Sequence, residues 1–295
     1  MKHTIFTGAA TAIITPFTET GIDWDAFGRL IDFQLAGGIS AIVAAGTTGE
    51  GSTVTDREHE DLVAFCVKRV AGRVPVIAGT GSNNTAHAIE RTKTACRAGA
   101  DAVLLVTPYY NKTTQRGLVA SFSAIADASS VPCILYNVPS RTGLNMLPDT
   151  LAELSKHEKV AAVKEACGNI SQVAQELELC GDRLDVYSGN DDQTVPVLSL
   201  GGKGVISTVG NIVPAEMAEM CRRFFAGDVK GAAELQLKLL SLMNQTMIET
   251  NPIPVKAGCA AMGFGRYILR LPLVEMEEGN RQKLLELMRE AGINA

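Results

Sequence analysis

Val160-Ala161-Ala162-Val163-Lys164-Glu165-Ala166-Cys167-Gly168 is a short apolar run that ends on a lysine, with a charged stretch before it and a glycine after it. Such a run reads as a buried strand with Lys164 at its C-terminal end. Partial desolvation of an ammonium lowers its pKa until the neutral amine can attack a carbonyl and form an imine. Taken alone, Lys164 reads more simply as a strand-end lysine whose stem lies along apolar surface while its head reaches water. The rest of the chain decides between the two.

Runs of the same kind recur: Ala9–Ile14, Ala41–Ala45, Val74–Ala78, Ala102–Val106, Cys133–Tyr136, Val160–Lys164, Leu184–Tyr187 and Gly204–Ile206. Between them lie amphipathic stretches that predict helices at Asp25–Ala36, Arg57–Ala71, Ala86–Ala98, Gly117–Ala126, Pro148–Ser155, Ile170–Leu179, Thr194–Leu200 and Pro214–Phe225. Eight βα units at intervals of about 20 to 35 residues predict an α/β protein, a parallel (β/α)8 TIM barrel. The runs are nearly continuously apolar, as parallel strands covered on both faces require. After Phe225 the pattern is helical only, over Val229–Thr250, a kinked Ile253–Met262 and Asn280–Ala291. The expected organisation is a catalytic barrel over residues 1–226 and a small C-terminal helical region over 227–295, joined at Ala226-Gly227-Asp228, where Gly ends one helix and Asp caps the next.

Composition narrows the partners. With 46% hydrophobic and 20% charged residues in 295, and a net charge of −5, the chain reads as globular, and no Lys/Arg cluster recommends a nucleic acid or an acidic membrane. A small molecule is the expected ligand. No run of about 18 apolar residues exists, and Met1-Lys2-His3-Thr4 leads straight into a probable strand, so a cytoplasmic location is expected. The seven cysteines are far apart without a CxxC pair, and read as reduced, mostly buried thiols. The four histidines are scattered, so neither a metal site nor a cofactor is expected; Gly79-Thr80-Gly81 lacks the third glycine of a dinucleotide fingerprint.

Barrel enzymes carry their chemistry on the residues that end the strands and on the loops that follow. Here those positions hold Gly46-Thr47-Thr48-Gly49-Glu50, Thr107-Pro108-Tyr109-Tyr110, Tyr136 through Gly143, Lys164-Glu165, Ser188-Gly189-Asn190-Asp191 and Ile206-Ser207. One amine, several hydroxyls and phenols and one guanidinium converge on one mouth, a set suited to carbonyl chemistry. The two threonines and successive N–H groups of the glycine-flanked turn can cradle a carboxylate. Tyr136 can shuttle protons beside the lysine, and Arg141 can grip a carboxylate with two parallel hydrogen bonds. Each residue has a plainer reading by itself, as a turn, a packed aromatic or a solvated arginine. Their joint occurrence favours catalysis.

Gly46-Thr47-Thr48-Gly49-Glu50, Thr107-Pro108-Tyr109-Tyr110, Tyr136-Asn137-Val138-Pro139-Ser140-Arg141-Thr142-Gly143 and Val163-Lys164-Glu165-Ala166 together resemble the dihydrodipicolinate synthase family, and the resemblance extends to Asn251-Pro252-Ile253-Pro254-Val255-Lys256. The first turn, the Tyr-Asn segment and the lysine are shared with the wider pyruvate-dependent aldolase and lyase superfamily, which includes N-acetylneuraminate lyase. Arg141, with the tyrosine pair before it, favours the synthases. The resemblance implies condensation of pyruvate with L-aspartate-4-semialdehyde, on the route to diaminopimelate and lysine. In it Lys164 forms the imine, while Tyr136, Thr47 and Tyr110 form a proton relay, Tyr110 reaching a neighbouring subunit's site. Thr47 and Thr48 would hold the pyruvate carboxylate, Arg141 that of the aldehyde, and Gly189 and the Ile206 carbonyl would line the pocket. It further implies a homo-oligomer, a tetramer built as a dimer of dimers.

Some members of that family are inhibited by lysine bound at the dimer interface. Asn83, His59 and Tyr109 fit the inhibited pattern, whereas Gly51, Asp56 and His87 depart from it, His87 standing where those members carry a glutamate. A neutral imidazole does not replace a carboxylate facing an ammonium, so weak or absent inhibition by L-lysine is expected. Two other readings remain at this point. One is a lyase that cleaves a 2-keto acid sugar through the same imine, against which Arg141 speaks, because a polyol aldehyde offers it no carboxylate. The other is a non-catalytic barrel, against which the joint presence of Lys164, Tyr136, Thr47 and Tyr110 speaks.

Overall fold

The computed structural model describes residues 4–294; Met1-Lys2-His3, read above as leading into the first strand, and Ala295 lie outside the described residues. Along the described residues run β1 (Gly8–Ala12), α1 (Trp24–Ala36), β2 (Ala41–Ala44), α2 (Asp56–Val70), β3 (Val76–Gly79), α3 (Thr85–Arg97), β4 (Ala102–Val106) and α4 (Gln115–Asp127). Then come β5 (Cys133–Asn137), α5 (Pro139–Thr142), α6 (Pro148–Leu154), β6 (Val160–Glu165), α7 (Ile170–Cys180), β7 (Asp185–Ser188), α8 (Thr194–Ser199), β8 (Gly204–Ser207) and α9 (Pro214–Phe225). Three further helices follow: α10 (Val229–Gln245), α11 (Ile253–Ala261) and α12 (Glu278–Glu290). Neighbouring strands pair in parallel and β1 also pairs with β8, so the sheet closes in chain order into the expected (β/α)8 barrel.

Side chains of a strand alternate between the faces of the sheet, and that alternation decides which residues meet. In β5 and β6, Ile134, Tyr136 and Ala162 join the barrel interior with Tyr187 and Ile206. Leu135 and Val163 instead pack under the helix layer with Leu118, Phe122 and Val173. Lys164 continues the inward series and Glu165 the outward one. The helices begin where their caps say they should. Asp23, Asn84, Thr114 and Asn169 accept from the first turns of α1, α3, α4 and α7, and Thr55 forms a reciprocal box with Glu58 at the start of α2.

After α9 the chain turns through Gly227 at φ 88°, and Asp228 Oδ1 accepts from Gly231 N at 2.9 Å to start α10. α10 and α9 pack together, and α12 covers α10 and α11. Most element bounds shift by a residue or two from expectation, and three departures have a local cause. β3 starts at Val76, because Pro75 has no N–H to donate to the ladder. α10 ends at Gln245, short of Thr250, where the Thr246 hydroxyl donates back to Met243 O at 2.7 Å and the chain must prepare for Pro252. The single turn α5, expected as loop, forms because Pro139 occupies its first position and Gly143 closes it at φ 68°. Among the described residues no helix is long and apolar enough to cross a membrane.

Candidate active site

β2 ends in a turn that the backbone reaches only under constraint. Ala45 and Glu50, at φ 54° and 53°, stand in the left-handed region on either side of Gly46-Thr47-Thr48-Gly49. A side chain at Gly51 would meet the Ala45 carbonyl oxygen at 2.2 Å, so the turn closes only with glycine there. Its last residue anchors it: the fully buried Glu50 accepts from Lys256 Nζ of α11 and, at 3.1 Å, from the Arg270 N–H. Lys256 and Arg270 both sit over the Phe17 ring, at 4.0 and 4.1 Å from its centroid. The C-terminal helices therefore hold the turn in place.

Lys164 is 5% exposed. Burial pulls its amine down to about 8, opposed by the charge of Asp191 and reinforced by Arg141. Its Nζ lies 4.4 Å from the centroid of the Tyr136 ring, whose own ionisation burial pushes up to about 12. A side chain on Gly189 would reach Ala166 Cβ at 2.8 Å and Lys164 Cε at 3.1 Å, so glycine leaves the amine its room. Lys164, Tyr136, Thr47, Thr48, Arg141 and Gly189 all line one cavity of about 50 Å³ at the C-terminal end of the barrel. It shares Gly46, Thr47, Tyr136 and Arg141 with a larger one of about 310 Å³ that runs past Tyr109 and Arg91.

Asn251, named in the sequence only as part of the family resemblance, was given no role in the site. This residue precedes α11, stands 203 positions from Thr48 and donates from Nδ2 to the Thr48 hydroxyl at 2.9 Å. Its carbonyl accepts from Arg141 Nη2 at 3.3 Å. A threonine that already accepts this hydrogen bond keeps its own proton free to donate into the cavity. Asn190 and Thr208 were also not foreseen as lining residues; Thr208 reaches the cavity, whereas the Ile206 side chain is buried in the barrel interior. No hydrogen bond among the described residues links the Tyr136 hydroxyl to Thr47. Tyr110 stands apart, 91% exposed on a loop it enters at φ 68°.

The four residues expected around an effector site are near one another but differently employed. Tyr109 lines the large cavity, and the Asn83 carbonyl accepts from Asn111 Nδ2 at 2.9 Å. His59 is buried, with Nε2 against the Gly79 carbonyl at 2.7 Å, and burial pulls its imidazole below the ordinary range. His87 Nε2 meets Asp56 Oδ1 at 2.8 Å, and Arg91 Nε binds the same oxygen at 2.9 Å.

A closed parallel barrel with a desolvated amine, a buried phenol, two threonines and an arginine around one cavity has the architecture of a TIM-barrel lyase, an enzyme of carbonyl chemistry. The chain belongs to the dihydrodipicolinate synthetase family, whose model matches residues 5–291. It is 54% identical over 291 residues to the 4-hydroxy-tetrahydrodipicolinate synthase of Caldicellulosiruptor saccharolyticus, covering 98% of each chain. To the enzyme of the same name from Thermoanaerobacter pseudethanolicus it is 52% identical over 290 residues, again with 98% of each covered. Among solved structures it resembles the chloride-inhibited dihydrodipicolinate synthase from Acinetobacter baumannii complexed with pyruvate, at a TM-score of 0.96 and 40% identity, over 98% of this chain and 100% of that one.

Proposed function

We propose that the chain acts as a 4-hydroxy-tetrahydrodipicolinate synthase, condensing pyruvate with L-aspartate-4-semialdehyde through an imine on Lys164. The neutral Lys164 amine adds to the pyruvate carbonyl and water leaves, giving the iminium. Loss of a methyl proton yields the enamine, whose carbon attacks the aldehyde. Attack of the second substrate's own amine on the imine carbon then closes the ring and frees Lys164. Tyr136, Thr47 and Tyr110 serve as the proton relay, with Tyr110 supplied by a neighbouring subunit of a dimer of dimers. Thr47 and Thr48 hold the pyruvate carboxylate and Arg141 that of the aldehyde, while Gly189 and the Ile206 carbonyl shape the pocket.

The observation that carries this reading is the buried Lys164 amine 4.4 Å from the Tyr136 ring at the barrel mouth. The high exposure of Tyr110 suits a side chain meant for another subunit. A weak response to L-lysine and a cytoplasmic site of action belong to the same reading. Asp56, a carboxylate beside His87 that could meet the effector's ammonium in place of the missing glutamate, is engaged by His87 and Arg91. Pyruvate plus borohydride should trap an adduct on Lys164, identified by intact mass and peptide mapping. A label on another lysine, or none while turnover persists, would refute the assignment.

A further inference from the structure

The inward alternation that brings Tyr136 and Lys164 into the barrel sends the next residue of each strand, Asn137 and Glu165, outward. Both are buried, and neither lines either cavity. They are direct partners in the ladder, one step beyond the pair Tyr136 and Lys164. Asn137 Nδ2 donates to both Glu165 oxygens, at 3.1 and 3.0 Å, and to Asn145 Oδ1 at 2.7 Å, while its own Oδ1 accepts from Met146 N at 2.9 Å. Every polar atom of that amide is thus committed. Glu165 Oε1 also accepts from Cys167 N at 2.7 Å, which fixes the chain just past β6.

Behind this pair stands Glu176 of α7, buried and accepting from Gln172 Nε2 at 2.9 Å. Burial pushes the Glu165 and Glu176 carboxyls above the usual carboxylate range, Glu176 to about 9, and the two titrate together. Gln172 in turn accepts from Asn145 Nδ2 at 2.9 Å, closing the network back to Asn137. A buried network of this kind favours one geometry, and its partial loss costs more than any one bond.

We propose that Asn137 and Glu165 are positioning residues for the reaction, and that their cross-strand hydrogen bonds, backed by Glu176, hold the ends of β5 and β6 so that Tyr136 faces Lys164. The proposal rests on the catalytic reading above. Neither residue touches substrate; they act through the backbone of the residues beside them. A displacement near 1 Å between two reacting groups is enough to slow a reaction by about 10²-fold.

The test compares Glu165→Ala, Glu165→Gln and Asn137→Ala with the wild-type enzyme, measuring kcat, the KM for pyruvate and the borohydride-trapped adduct at Lys164, with near-ultraviolet circular dichroism to show which variants are folded. Glu165→Ala and Asn137→Ala should lower kcat by about tenfold or more while the KM for pyruvate stays within about threefold. Glu165→Gln should stay within about threefold of wild type in kcat, because its amide oxygen still accepts from Cys167 N and Asn137. Should Glu165→Ala fail to fold, Asn137→Ala removes the cross-strand bonds and leaves Glu165 its contacts with Cys167 and Glu176. Folded Glu165→Ala and Asn137→Ala variants that turn over within about threefold of wild type, or an equal fall in Glu165→Ala and Glu165→Gln, overturn the positioning role while wild-type labelling at Lys164 stands. Wild-type turnover without that label overturns the catalytic reading itself.

Discussion

At the scale of single residues, one number governs the chemistry. A lysine titrating at about 8 is neutral for roughly a tenth of the time at pH 7, against about one part in 3,000 for an unperturbed lysine near 10.5. The rate of pyruvate imine formation should therefore climb with pH and level off above about 8, as followed by borohydride trapping between pH 6 and 10. The sign follows from burial, which disfavours the ammonium and leaves the free amine as nucleophile. A rate independent of pH in that range would mean that Lys164 is not the attacking amine. In the proposed reaction Arg141 acts on the other substrate. Arg141→Ala should leave trapping with pyruvate intact and reduce kcat/KM for the aldehyde, since a lost charge-assisted contact costs roughly 1.5–3 kcal/mol. An unchanged kcat/KM would favour cleavage of a sugar acid instead. The residue types at these strand ends were legible in the sequence, because a single lysine, a tyrosine and an arginine announce their chemistry. Asn251 was not, since its hydrogen bond spans 203 positions and an asparagine before proline looks like any turn.

At the scale of elements, β2 and α11 are tied by one buried ion pair. Lys256 and Glu50 are 1% and 0% exposed, and removing one partner leaves an uncompensated charge in the interior. Lys256→Ala should destabilise the fold by about 3–5 kcal/mol, read from the shift of the urea midpoint, whereas replacing both partners by apolar residues should cost less. A change below about 1 kcal/mol in the single variant would show that water reaches the site. Because Glu50 closes the turn that carries Thr47 and Thr48, α11 helps to hold the proposed carboxylate-binding turn in place. The expected helix over Val229–Thr250 was too long for the same reason that the pair was missed. Periodicity reports an apolar face, but it carries no record of where a helix must stop to deliver Asn251 and Lys256 elsewhere.

At the scale of the whole molecule, Tyr110 tests whether the site is completed by a second copy. Subunits carrying Tyr110→Phe keep Lys164, and subunits carrying Lys164→Ala keep Tyr110, so a mixed pair in which each reaches into the other contains one intact site. Each variant alone should be nearly inactive, and refolding or subunit exchange of an equal mixture should restore roughly a quarter of wild-type turnover, as random pairing in a two-fold dimer requires. No recovery in demonstrably mixed oligomers would remove Tyr110 from the neighbour's site.

The sequence by itself pointed to the barrel, because eight apolar runs alternating with amphipathic helices favour a closed parallel sheet over an open doubly wound one, and it determined the reactive types that end those runs. Alternation with period two puts Lys164 and Glu165 on opposite faces, and the packing of the barrel decides which face is inward. Only the tertiary structure decided the separations and the partners: the amine set against the Tyr136 ring, Glu50 bound by a lysine from the far end of the chain, and Asn137, Glu165 and Glu176 joined behind the site. Those contacts depend on register across the sheet and on how α7 and α11 pack, and neither is written in the spacing of any one segment.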